Sequence, residues 1–541
     1  MLPLAAGLAA GRAGGIVSAS WPLAGALPAA AAAVVGAWCA PRLWAPALVA
    51  AAGLAGLASF ALHRQPRPEW IDRPAREARL TLRLERLYPP SPARPAASGL
   101  AAVVRADPHL RELVGQRIYF SLLPRRGAAE LERSEVIAAI GLLAPVPPHP
   151  APGGFDASLA DQGLNFKLTR GRMLAIERPA TAYHRFCARL AARMTILLGA
   201  GLGRHPDLAG LYRAMLLGHR RELSADQQRL FLHAGAMHLF AVNGIHITTV
   251  AVALHALLAL LRCPRLLDGA LVLAVLWLDV DTTGASPSAV RAFIMVAAVE
   301  VARALWRPAN PLASLAGAAA LILVTDPMAM FSASFQMSYG VMVGLVLLGL
   351  PLAAHWNEKL APHRSLPRAH WTFLQRLRAA LWHHVLDGLG LGAAAAAFGA
   401  VSSVEFFNLF VPGGLAANLA LVPPALLVIV AGVCSLVLGF PGAAAAGPPA
   451  VALAQAARFC NLAAGVVLTA MTAVARAAIA VPAVYFAARY RAPWIGPAAL
   501  GLLVAACLFG YAGSWRRGRG GFWPPFAIVA AVLLFGVTYH A

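Results

Sequence analysis

The residues best suited to chemistry in this 541-residue chain sit in a short polar break between two apolar runs: His238, Asn243, Gly244 and His246. Residues 230–240 lead in and residues 247–261 lead out. As one straight helix they would exceed what a bilayer core of ~30 Å requires. Asn-Gly is a turn dipeptide, and backbone groups freed at membrane depth need protein partners or water. The break therefore reads either as the wall of a wet cavity or as a kinked helix with His246 bonded to a neighbouring carbonyl. A continuous helix would set the two histidines roughly 80° apart around its axis, whereas a break can bring both to one cavity. No carboxylate or cysteine accompanies them, so no metal or cofactor is expected.

A second polar island, Asp281-Thr282-Thr283-Gly284-Ala285-Ser286-Pro287-Ser288-Ala289-Val290-Arg291, feeds the apolar run 292–305. Ser286 or Ser288 can cap that helix, with Pro287 in its first turn. Ser286 and His246 also have the residue types of a Ser-His dyad, as an intramembrane serine protease would need. A buried membrane arginine costs at least ~2.5–3.5 kcal/mol on insertion scales. Arg291 then either snorkels to the interface or meets a phosphate in a translocation path. Gln336 and Ser338, in the apolar run 331–350, either bond between helices or line that path.

What must position these residues is a membrane protein. The chain is 59% hydrophobic and 13% charged, against about 25% charged in soluble domains, and its length allows roughly ten spans and one soluble module. Net charge is +22, nearly all the excess arginine; it suits anionic lipid, the positive-inside rule or a polyanionic substrate, and also the codon bias of a GC-rich genome. The six cysteines are scattered without a CxxC pair, as buried hydrophobes rather than a disulfide framework. Residues 2–19 are a weak span candidate; 21–40 and 43–62 are better ones. Three spans would place the next segment opposite the N-terminus.

Residues 63–178 change character. Arg79-Leu80-Thr81-Leu82-Arg83-Leu84-Glu85 alternates as a half-buried strand should, and residues 100–105 and 115–123 also read as strands. Short strands with turns between them predict a small β-barrel, with Arg79, Arg83, Arg86, Arg105, Arg117, Arg125, Arg126 and Lys167 either a solvated face or a nucleic-acid surface. Arg185, Arg189 and Arg193 then recur along a two-faced helix that reads as interfacial. Further on, residues 353–384 read as a polar connection, Glu405-Phe406-Phe407-Asn408 as a break, and Val422-Pro423-Pro424 as a second broken helix. The fold class is thus an all-α polytopic membrane protein with an inserted small β-barrel domain. The expected divisions are 1–62 (N-terminal spans), 63–178 (barrel), 179–440 (channel domain) and 441–541 (C-terminal spans).

These motifs, in this order, resemble the ComEC family of competence proteins. Pro152-Gly153-Gly154-Phe155-Asp156 is similar to the family's close of an OB-like domain. Ala234-Gly235-Ala236-Met237-His238-Leu239-Phe240-Ala241-Val242-Asn243-Gly244-Ile245-His246 is similar to its GxxHLxAxSGxH block, with Asn243 where serine is usual. Thr283 to Ala292 is similar to its GxxxSxxRA block, and Asp326-Pro327 and Ser334-Phe335-Gln336-Met337-Ser338 to the next two. The resemblance implies an inner-membrane channel for single-stranded DNA in natural transformation. Its path would be lined by His238, Asn243, Gly244, His246, Ser286, Ser288, Arg291, Gln336 and Ser338. Its OB-like domain would lie on the outer face, touching DNA through Arg79, Arg83, Arg105, Arg117 and Lys167. The metallo-β-lactamase-like motif His-x-His-x-Asp-His of many members does not occur in this sequence. No catalysis is therefore expected of the chain itself. A separate nuclease, a cytoplasmic DNA-translocating ATPase, a DNA receptor protein and membrane lipids are the expected partners. A broken-helix transporter of a small anionic or lipid solute is the alternative.

Overall fold

The computed structural model describes the chain except residues 1, 15–18, 40–43, 69, 72–73, 89–96, 124–130, 148–149, 151–153, 220–221, 309, 361, 363–371, 445–446, 518–519 and 541. Arg125 and Arg126, and Pro152-Gly153 of the expected barrel exit, lie outside the described residues.

Helices α1 (Leu2–Ala13), α2 (Ser20–Cys39) and α3 (Trp44–His63) come first. At 12 residues, α1 rises about 18 Å, too short to cross a bilayer core. It packs instead on α3 at backbone distance. A methyl group on Gly7 would lie 2.0 Å from the Gly53 carbonyl oxygen, and one on Gly56 would lie 2.2 Å from that of Leu4. Small residues at such a crossing let helices approach in lipid.

Strands β1 (Arg76–Tyr88), β2 (Ala97–Ala106), β3 (Arg117–Leu122), β4 (Val136–Pro145) and β5 (Phe166–Arg178) follow, with α4 (Phe155–Asp161) between the last two. They close in the order β1-β2-β3-β5-β4, the β3–β5 pair parallel and the others antiparallel. This is a five-stranded barrel of the OB kind. The alternation read in β1 is what fills it: Leu80, Leu82 and Leu84 point inward with Ile118, Phe120, Ile137 and Leu168, while Arg79 and Arg83 point out. Leu110 and Leu113, from the 3-10 turn Pro108–Leu113, complete the core.

The remaining helices are α5 (Ala182–Gly199), α6 (Pro206–Leu217), α7 (Ala225–His233), α8 (Gly244–Leu260), α9 (Arg265–Thr282), α10 (Pro287–Ala304), α11 (Pro311–Thr325), α12 (Ala333–Gly344), α13 (Leu350–Lys359), α14 (Phe373–Phe407), α15 (Gly414–Ala444), α16 (Pro448–Ala480), α17 (Ile495–Gly513) and α18 (Trp523–Phe535). Among the described residues, six helical segments are long and apolar enough to cross a membrane and three more are shorter. The protein is a multi-pass membrane protein.

Several expectations need correction. Residues 353–384 are not one connection: α13 runs to Lys359 and α14 begins at Phe373, where Thr372 and Gln375 form a capping box. The break at Glu405-Asn408 is the end of α14, where Asn408 adopts a left-handed backbone (φ 52°). No break occurs at Pro423-Pro424, since α15 continues through both. It packs on α16 and α8, and packed apolar helices tolerate the lost N–H donors. An unforeseen antiparallel sheet joins β6 (Leu409–Phe410), β7 (Phe486–Tyr490) and β8 (Val537–His540).

The chain divides into two units, Met1–Leu190 with Leu278–Phe335, and Ala191–Trp277 with Gln336–Ala541. Within the first, the barrel is fastened to helices at several points. Asn165 Nδ2 donates to the Gln65 and Pro66 carbonyls, pinning the segment that leaves α3. Arg12 of α1 pairs with Asp161 at 2.7 Å and lies over the Phe331 ring. At the barrel exit, Ser134 Oγ accepts from the Thr181 amide at 3.0 Å.

Candidate functional site

In the second unit the polar break is organised by Asn243. The chain leaves α7 through Gly235 (φ 71°), makes the 3-10 turn Met237–Phe240, and starts α8 at Gly244 with Asn243 as its N-cap. Asn243 Oδ1 accepts from the amides of Ile245 (3.0 Å) and His246 (3.5 Å). Its Nδ2 donates to the His238 carbonyl at 3.1 Å, and His246 Nδ1 lies 3.2 Å from Oδ1. Asn243 thus joins both histidine positions, but their rings differ in environment: His246 is buried at 4% exposure and His238 is exposed. The break is a fresh helix start rather than a kink in one helix. Gly244 has no left-handed backbone and open space where a side chain would go, so neither strain nor crowding demands glycine there. Asn243→Ala is expected to lower stability by about 1 kcal/mol. Asn243→Ser keeps the cap and loses only the bond to His238; thermal unfolding of the two variants checks the difference.

In the first unit, Gly284 (φ 90°) and Ala285 (φ 47°) turn the chain out of α9. Ser286 caps α10, its Oγ accepting from the Ala289 amide at 3.3 Å, and Pro287 takes the first helical position. The capping role read from the sequence is thus the one its hydroxyl performs. Ser288 is half-buried in the first turn. Arg291 does not snorkel. It is 3% exposed, and its Nη2 donates to the Ser334 carbonyl at 2.8 Å, tying α10 to the start of α12. Gln336 and Ser338, half-buried on α12, fall in the second unit with Asn243 and His246.

On the barrel, four of the five expected contact residues already have carboxylate partners. Arg83 and Arg117 both meet Glu85 (3.8 and 2.8 Å), Arg105 meets Glu177 (3.7 Å) and Lys167 meets Asp156 (2.6 Å). The Arg79 side chain is exposed and its amide donates to Asp107. The register nevertheless aligns arginines around the outside. Arg117 on β3, Arg83 on β1 and Arg178 on β5 share one row, separated by Ala102 and Val136. Of the aromatics, Phe120 and Phe166 are core and Tyr119 packs edge-on against Phe155.

Two polar centres have partners that the sequence reading did not foresee, although Asp281 opens the second polar island. Asp281 accepts from Arg133 Nη1 and lies 3.9 Å from His184 Nε2, joining the end of α9 to the β3–β4 loop and to α5. Asn461, fully buried in α16, donates to the carbonyls of Leu197 and Ala200. A lone Asn or Asp beside an apolar run is a signal in itself, because such a group must find a partner; which partner is a tertiary matter.

The family model described as "Competence protein" matches residues 215–516, which contain Asn243, His246, Arg291 and Gln336. ComE operon protein 3 of Bacillus subtilis (strain 168) is 31% identical over 144 residues, a stretch that covers 26% of this chain and 18% of that protein. No solved structure matches. With the family model running over more than half of its length, and with the blocks around Asn243, Ser286 and Gln336 falling inside the matched region in their expected order, the chain belongs to the ComEC family of competence proteins.

Proposed function

We propose that this protein is the inner-membrane channel through which single-stranded DNA reaches the cytoplasm in natural transformation, acting without catalysis of its own. The observation that carries the reading is the family match across residues 215–516. Two features support it. A multi-pass helical body carries an OB-like barrel, a fold suited to single strands. The barrel is also fastened to the polar island through Arg133 and Asp281. In this reading the barrel lies on the outer face, next to a DNA receptor protein. A separate nuclease prepares the strand, and a cytoplasmic DNA-translocating ATPase draws it in. The residues proposed for the path are Ser286, Ser288 and Arg291 in the first unit and His238, Asn243, Gly244, His246, Gln336 and Ser338 in the second.

The test is a deletion in a transformable host. Wild-type protein restores transformants. Arg291→Ala, present in the membrane in equal amount, is expected to yield about a hundredfold fewer, the equivalent of ~3 kcal/mol. Labelled DNA should still reach a nuclease-protected compartment outside the inner membrane. Unchanged transformation in the deletion strain rejects the channel; unchanged transformation with Arg291→Ala removes that residue from it.

A further inference from the structure

α5 differs from the barrel in how its charge is arranged. Arg185, Arg189 and Arg193 stand one turn apart on its exposed side. The helix contains no Asp or Glu. Among the described residues none of the three arginines meets a carboxylate, whereas Arg83, Arg105 and Arg117 of the barrel all do. One polar contact of the stripe is internal, Arg189 Nε donating to the Arg185 carbonyl at 3.3 Å. The opposite side of the helix, Cys187, Met194 and Leu198, is buried. The arginine face is also apolar: Phe186 is 47% and Ile196 72% exposed on it. On a wheel of 100° per residue, Phe186, Arg189, Arg193 and Ile196 fall within about one quarter of the circumference.

We infer that α5 lies in the membrane surface and that its arginine stripe binds the phosphates of anionic phospholipid headgroups. Guanidinium forks match phosphate in charge and geometry. Phe186 and Ile196 decide the source of the phosphate. Free phosphate or a nucleic-acid backbone would leave Ile196 in water, while a lipid surface covers it at the level of the acyl chains as the arginines reach the headgroups. The inference is independent of the DNA reading, and it adds a lipid requirement at the junction between barrel and membrane helices.

The test uses the full chain purified in a neutral detergent. It is titrated with phosphatidylglycerol, with phosphatidylcholine of the same acyl chains, with inorganic phosphate and with oligothymidylate; bound lipid is counted by native mass spectrometry. Phosphatidylglycerol is expected to be held about a hundredfold more tightly than phosphatidylcholine at low salt, from three arginines near the surface. The combined Arg185→Gln, Arg189→Gln, Arg193→Gln variant loses that margin without a change in thermal unfolding, and inorganic phosphate does not compete. If the combined variant does not fold, Arg189→Gln alone loses about fivefold. An unchanged margin in the variants, equal binding of the two lipids, competition by phosphate at equal concentration, or a loss of oligothymidylate binding in place of lipid binding overturns the assignment.

Discussion

Asp281→Ala is expected to destabilise the purified protein by about 3 kcal/mol and to make the barrel the first part cut by protease. The Asp281 carboxylate is buried, with 6% of its side chain exposed, and its Oδ1 accepts from Arg133 Nη1. Arg133 is held in turn by its own Nε, which donates to the Glu85 carbonyl on β1 at 3.1 Å. The adjacent Ser134 bonds Thr181 at the entry to α5. The carboxylate therefore holds the β3–β4 loop against two helices, and its loss leaves a guanidinium facing a low-dielectric pocket. Removing one member of a buried pair costs ~3–5 kcal/mol. The lower end applies here because 26% of the Arg133 side chain is exposed and water can reach it. Arg133→Leu with Asp281→Leu should recover most of the loss, since two apolar groups leave no unpaired charge. Thermal unfolding of the two single variants and the double variant measures the coupling. Additive losses would mean that the pair does not fasten the barrel.

The contrast between this pair and the features read from sequence shows what local pattern can carry. The β1 strand was readable because Leu80, Leu82 and Leu84 alternate with charge, and alternation survives any choice of partner strand. The Ser286 cap and Pro287 first turn were readable because both act within four residues of themselves. The pairing of Arg117 with Glu85 was not, because it depends on a barrel register that brings β1, β2 and β3 side by side. Nor was the continuity of α15 at Pro423-Pro424: local rules count the missing donors, while its packing on α16 and α8 is set by the rest of the chain. Asn243 falls between these cases. Its turn propensity marked the right place, yet its function there is to cap α8 and bond His238 rather than to supply a glycine-dependent bend.

The second large effect is expected at Asn461, where the argument is one of donors alone. α5 ends at Gly199, and the last carbonyls of a helix have no partner within it. Here Asn461 of another helix meets the end of α5: its Nδ2 donates at 2.8 Å to the Leu197 carbonyl, which also accepts from the Ala200 amide at 3.1 Å, and at 2.9 Å to the carbonyl of Ala200 just past the helix. The Tyr212 hydroxyl, also fully buried, donates to Asn461 Oδ1 at 3.3 Å. Leucine at this position has nearly the same volume and none of the donors. Asn461→Leu would thus strand the Ala200 carbonyl and the Tyr212 hydroxyl without opening a cavity, at a cost of about 3 kcal/mol. Asn461→Asp should cost more than Asn461→Leu at neutral pH, because a carboxylate puts negative charge against the two carbonyl oxygens and brings no donor. Packing alone predicts the reverse order, since Asp is closer to Asn in shape. The ranking of the two variants in thermal unfolding therefore separates the explanations: Asn461→Asp as the milder change would show that Asn461 fills space in α16 and does not terminate α5.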